Sequence, residues 1–107
     1  MTESLPETAV VRLSRGSFDP SLFAEVEALN LKQAEYLVPA IKALPGLISW
    51  YASLMSDGMV QVSIWDSYEH AKQMDTLKEM NVIARGEMEA LGVKFVPIVN
   101  PQITWTI

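Results

Sequence analysis

Along this chain, apolar and polar positions switch between alternation and helical spacing in an order that predicts its elements. Residues 8–15, TAVVRLSR, are short, β-branched and roughly alternating, and read as a first strand ending at Gly16. Asp19 then reads as a helix N-cap with Pro20 at the first helical position, where the missing N–H of proline costs nothing. Leu22, Val26, Leu29, Leu37, Ile41 and Leu44 recur at helical spacing, with Glu25, Glu27, Lys32, Glu35 and Lys42 largely off that stripe. Pro39 falls inside the pattern. It removes a backbone hydrogen bond and crowds the preceding turn, so a kink or restart is expected near Leu37. Pro45-Gly46 ends the helix.

Two strand-like runs follow, LISWYASLM and MVQVSIWD, separated by Ser56-Asp57-Gly58. That spacing predicts a three-residue hairpin loop with the glycine in the left-handed position. Met55 would then face Met59, placing Ser53 opposite Gln61, Tyr51 opposite Ser63 and Ser49 opposite Trp65 on one face. Leu54/Val60, Ala52/Val62 and Trp50/Ile64 would pair on the other. The second face is dry and suits packing against helices, whereas the first is wet and aromatic.

Asp66 is placed to cap a second helix, with Glu69 three residues on completing a capping box. Tyr68, His70, Ala71, Met74 and Leu77 fall on one side of it. Residues 81–92 read as a further short helix, weakened by Gly86 and stopped at Gly92. After residues 93–96 and a loop holding Pro97 and Pro101, QITWTI alternates again as a last strand. Strand, long helix, strand, strand, helix, strand is the split βαβ order of an α+β, ferredoxin-like domain: a four-stranded antiparallel sheet with helices on one face. Residues 8–107 are read as that domain, and residues 1–7 as a frayed arm. The bare sheet face is too apolar for water and too polar for a monomer core. Facing a second copy resolves both, because two such sheets enclose a barrel.

Composition narrows the chemistry. The 107 residues hold no cysteine, so neither a disulfide framework nor a thiolate metal site is available, and His70 is the single histidine. The net charge of −5, with eight scattered Lys and Arg, argues against nucleic acid or an anionic membrane as partner. No run approaches the ~20 apolar residues of a membrane span. The N-terminus, with Glu3 and Pro6 and no basic stretch, does not read as a secretory leader, so a cytosolic location is expected.

The runs LPGLISWYASLM and SDGMVQVSIWDSYEHAKQM resemble the centre of the dimeric α/β barrel superfamily, in particular its antibiotic biosynthesis monooxygenase-like branch. There, a Pro-Gly after the long helix leads into a strand, and a strand-ending Trp with an acidic residue leads into the second helix. The resemblance extends over about residues 8–107 and implies a homodimer with a pocket between sheet and helices in each protomer. It also implies, for some members, oxidation of polycyclic quinols by molecular oxygen with no metal or flavin; no cofactor is expected. Other members cleave haem with an Asn on the first strand, a Trp ending the third and a His on a later helix. Trp65 matches that Trp, but residues 8–15 hold no Asn and residues 79–91 no His, which argues against haem cleavage.

Several side chains are candidates for chemistry. Trp65 is placed to stack on a planar ring or to plug the barrel rim. His70, beside Met74 and Leu77, is placed to take a proton from a phenol near neutral pH or to serve as a packing residue. Arg12 on the first strand is a candidate partner for an anionic substrate oxygen, and Arg85 for the same role from the last helix; a rim salt bridge is the plainer alternative for both. Tyr51, Ser63, Gln61 and Met74 are candidate substrate contacts. Two functions follow: a cofactor-independent monooxygenase acting on a hydroxylated aromatic, or a non-catalytic dimeric barrel that binds a small hydrophobic molecule or has a structural or stress-type role. The first requires a pocket of ~300 Å³ or more reaching both Trp65 and His70.

Overall fold

The computed structural model describes residues 5–107, so most of the predicted N-terminal arm lies outside the described residues. Strand β1 (Val10–Ser17) is followed by a 3-10 turn (Pro20–Leu22) and helix α1 (Phe23–Lys42). Strands β2 (Leu47–Met55) and β3 (Gly58–Trp65) form a hairpin. Helix α2 (Tyr68–Ala71) runs on as a 3-10 turn (Lys72–Asp75), and a π-helical turn (Glu79–Ala84) leads into α3 (Arg85–Leu91) and the short strand β4 (Lys94–Phe95). The sheet order is β2-β3-β1-β4, with every pairing antiparallel. This is the ferredoxin-like α+β architecture that the order of patterns predicts.

Asp19 caps as expected, its Oδ1 accepting from Ser21 N at 2.9 Å, an interaction that holds its carboxyl below the usual range. Pro39 does not interrupt α1, which is continuous to Lys42. Only the last turn follows it, and the acceptor it frees belongs to exposed Glu35, where water can serve. The second helix is capped by Ser67 and not by Asp66: Ser67 Oγ accepts from His70 N. Gly92 closes α3 with φ of 110°, as its position predicts.

The hairpin departs from expectation, and with it the assignment of faces. The loop is Ser56-Asp57 alone, Gly58 pairs with Met55, and Leu54 pairs with Met59. Gly58 has no positive φ; it is buried where a side chain would crowd the Gly16 carbonyl oxygen. This one-residue change in register exchanges the two faces of β3 relative to β2. Tyr51 now opposes Val62, and Trp50 opposes Ser63. Trp65, Ser63 and Met59 lie under the helices, while Val60, Val62 and Ile64 join Val11, Leu13 and Tyr51 on the bare face.

Burial explains the choice. Trp65 packs in one core cluster with Leu37, Ile41, Ala71, Met74 and Ala84; Met59 packs in a second with Phe18, Val26, Met88 and Val93. Helices set on a sheet take the larger side chains, which bury more apolar area than Val and Ile would. A β-branched face remains uncovered. The last strand is also displaced: Lys94–Phe95 pairs with β1, and QITWTI contributes only a bridge from Gln102 to Val10. Pro97 and Pro101 lack the donors a continuous ladder needs, so the segment follows β1 through separate contacts at Val96, Val99 and Asn100. Trp105 and Ile107 are left exposed.

Candidate functional site

Between the helix-facing side of the sheet and the helices lies a cavity of about 50 Å³. Arg12 and Ser14 from β1 and Met59, Gln61 and Ser63 from β3 supply its floor; Gln33, Met74, Met80, Asn81 and Ala84 close it from the helical side. Beside it, α1 and the edge strand β2 frame a larger groove of about 420 Å³. Leu31, Ala34, Val38 and Ile41, on one stripe of α1, form the groove's wall. Trp50, Gln61 and Met80 line both spaces. Those three side chains form the border between the two spaces.

Alternation places these groups. On β1 and β3 every second residue reaches the helical side, so Arg12 and Ser14 stand opposite Ser63 and Gln61. Arg12 is 7% exposed, and its Nη1 donates to Asp75 Oδ1 at 2.7 Å, while Asp75 itself is half exposed. A guanidinium has five N–H donors, and Asp75 occupies one. No buried side-chain nitrogen or oxygen among the described residues lacks a partner, so the Arg12 nitrogens that Asp75 does not engage have accessible surface, and Arg12 lines the cavity. Gln61, half buried, forms no side-chain hydrogen bond to the described residues. Spare donors on Arg12 and a spare amide on Gln61 suit an oxygen-bearing ligand edge.

Of the residues singled out from sequence, Arg12, Ser63, Gln61, Met74 and Arg85 line the small cavity. Trp65, His70 and Tyr51 line neither space. Trp65 is 0% exposed, its Nε1–H donating to Ser63 Oγ at 2.9 Å, so it is a core residue that also orients Ser63. His70 sits on the outside of the fold, with Nδ1 2.6 Å from Asp66 Oδ1. The pair covers Gly46, where φ of 88° and the lack of space for a side chain both call for glycine. Asp66 N donates to Gly46 O at 2.8 Å, so this cluster joins the start of β2 to α2. Tyr51 lies on the bare face, 61% exposed. The expected pocket joining Trp65 to His70 is absent among the described residues, because Met74 is buried against Trp65.

Sequence reasoning missed Trp50, Asn81 and Gln33 as lining residues, whereas Met80 belongs to a set of methionines, with Met55, Met59, Met74 and Met88, that the sequence offers as an apolar lining. For Trp50 the signal was present: the expected pairing already put it on the face that packs against helices, and only its β3 partner changed, from Ile64 to Ser63. Gln33 breaks an apolar stripe at a buried position, its Nε2 donating to Ala84 O at 3.0 Å and to Glu87 Oε1 at 3.2 Å. Tyr36 O–H donates to the same Glu87 oxygen at 2.8 Å; burial, then this carboxylate, pushes the phenol up to about 12. These bonds fix α1 against the wall that carries Met80 and Asn81. Among the described residues no three His, Asp or Glu side chains cluster as a metal site, and no helix is long and apolar enough to cross a membrane.

No family model matches the chain, and no curated protein matches its sequence. Solved structures do share its shape. A mutant form of SnoaB, a cofactor-independent oxygenase from Streptomyces nogalater, superposes with a TM-score of 0.66 at 13% identity, over 94% of this chain and 97% of its own. A proposed antibiotic biosynthesis monooxygenase from Deinococcus radiodurans gives 0.69 at 16% identity, over 92% and 95%. A dimeric ferredoxin-like protein from an uncultured marine organism gives 0.70 at 18% identity, over 94% and 98%. At such identities the likeness is one of fold: the chain has the ferredoxin-like α+β fold common to antibiotic biosynthesis monooxygenase-like proteins and their dimeric neighbours.

Proposed function

We propose that the chain is a cofactor-independent oxygenase that binds a small hydroxylated polycyclic aromatic in the cleft and oxidises it with O2. The observation that carries this reading is that Trp50, Gln61 and Met80 border both a groove of about 420 Å³ and a smaller, Arg12-bearing cavity. A groove of that size is within the usual range for small-molecule sites. The ring system lies against Trp50, and its oxygenated edge points to Arg12 and Gln61. The small cavity, about 50 Å³, has room for O2. SnoaB, which has this fold, is described as a cofactor-independent oxygenase.

The chemistry asked of the protein is modest. Arg12 stabilises the phenolate, so the phenolic proton leaves to solvent more readily. The substrate reacts as its enol tautomer, in which one hydrogen of the activated ring CH2 has moved to oxygen and is the proton lost. The resulting anion passes an electron to O2, recombination forms a carbon–peroxide bond at the ring CH, and the peroxide takes a proton from solvent. Loss of water then leaves a carbonyl: four electrons go from carbon to O2, with one oxygen atom retained and the other released as water. Orientation and anion stabilisation are the chain's contributions. Trp65 and His70 have no part in this version, and Arg85, beside Phe95 and 3.5 Å from Glu89, stands at the cavity's edge.

A second reading, non-catalytic binding of a hydrophobic molecule, is favoured by one observation: no Asp, Glu or His lines either space among the described residues. Oxygen uptake with a tricyclic hydroxyanthrone, beside its binding measured by calorimetry, separates the two. Uptake of one O2 per molecule, reduced tenfold or more in Arg12→Gln and Trp50→Ala, supports the oxygenase. Binding without uptake selects the second reading. Neither binding nor uptake across a panel of polycyclic quinols counts against both. The bare face, with Val11, Leu13, Val60, Val62, Ile64 and Tyr51, is proposed to seal against a second copy of the chain.

A further inference from the structure

Asn81 stands in the π-helical turn Glu79–Ala84, a wide turn of a kind that frequently accompanies functional sites. It is half buried and lines the small cavity with Arg12 and Gln61. Its side-chain nitrogen donates to two main-chain carbonyls, those of Met74 and Leu77, the second at 3.0 Å. A carbonyl cannot donate, so the amide has one permitted orientation and its nitrogen must face those oxygens. Both N–H groups are then committed. The side-chain oxygen forms no hydrogen bond among the described residues, and since no buried side-chain oxygen there lacks a partner, this atom is accessible.

Two groups lining the cavity are thus a donor-rich cation, Arg12, and Asn81, whose fixed acceptor has no partner among the described residues. A ligand whose edge carries only acceptors would satisfy Arg12 and leave Asn81 opposed. We infer that Asn81 is a specificity-determining residue, its side-chain oxygen selecting ligands that bring a free hydroxyl into the cavity over otherwise identical ethers. The inference rests on the cleft being the ligand site, as proposed above. It adds the requirement that the ligand enter with its hydroxyl protonated and donating, the state bound before the proton leaves, and it assigns that requirement to one atom. A site built to receive a hydroxyl proton discriminates more sharply than an apolar one, because the acceptor left facing an ether stays desolvated and unpaired.

The test compares 2-naphthol with 2-methoxynaphthalene, two probes that share a ring system and differ in the donor, by titration calorimetry on the full chain. Wild type is expected to prefer 2-naphthol by roughly tenfold, the scale of one hydrogen bond. Asn81→Ala should bring the ratio of the two dissociation constants to about one. Asn81→Ser, whose hydroxyl can still donate to the Leu77 carbonyl, should do the same without the full loss of the turn's support. The ratio is the informative quantity: a merely structural Asn81 would weaken both probes together and leave it unchanged. Equal binding of the two probes by wild type, or a ratio that survives in Asn81→Ser, overturns the assignment while leaving the cleft as the site. Failure of wild type to bind either probe overturns the site and this inference together.

Discussion

Replacing Trp65 with Phe separates a core residue from a ligand-stacking one. In the structure Trp65 is fully buried and donates to Ser63 Oγ at 2.9 Å. Phe keeps most of the apolar contact with Leu37, Ile41 and Met74 but removes the N–H and part of the ring. The lost hydrogen bond is worth about 1 kcal/mol. The missing volume, roughly 40 Å³ at ~24 cal/mol per Å³, adds about 1 kcal/mol. A loss of about 2 kcal/mol corresponds to a fall of roughly 8–15 °C in Tm for a domain of this size. The assay is thermal unfolding followed by circular dichroism at one protomer concentration, since association would itself move Tm. Calorimetric titration with 2-naphthol accompanies it, and affinity should stay within about twofold of wild type. A Tm within ~3 °C of wild type together with abolished binding would refute the reasoning, because Trp65 would then face ligand and not core.

Other consequences follow from the same geometry. Asp75→Ala leaves the 7%-exposed Arg12 without its carboxylate, and should cost about 1–3 kcal/mol in urea unfolding, less than a fully buried pair because Asp75 is exposed. No change at all would mean that Arg12 is hydrated in place. Val62→Lys puts a charge at the centre of the bare face, so light scattering should report the proposed dimer for wild type and a monomer for the variant; a dimer in both would move the interface elsewhere. Tyr36, pushed up to about 12 by burial and then by Glu87, keeps its proton in the folded state above the ordinary phenol value of 10.0. Its contribution is therefore full below pH 10 and lost as pH rises toward 12. Urea midpoints should fall more steeply across that interval in wild type than in Tyr36→Phe, and parallel curves would remove Tyr36 from the account.

The chain's own pattern determined the order and type of its elements, because the periods of two and 3.6 are local properties of the backbone. Asp19-Pro20, Pro45-Gly46 and Gly92 marked boundaries by chemistry that acts within a few residues. Arg12, Ser63, Gln61, Met74 and Arg85, singled out from the sequence, line the cavity, though Gln61 and Ser63 were assigned to the wrong face. What tertiary structure decided was the face. One residue of loop length at Ser56-Asp57 exchanges every side chain of β3 between helices and open surface, and local propensity differs little between the two registers. The competition was settled by burial of Trp65 and Met59 under α1 and α3, an interaction between segments far apart in sequence. His70 was drawn out of the site by the same long-range logic, since the glycine it covers, Gly46, belongs to another strand's approach. Trp50 and Asn81 entered it because a cavity exists only once sheet and helices are packed together, and no single segment records the space between them.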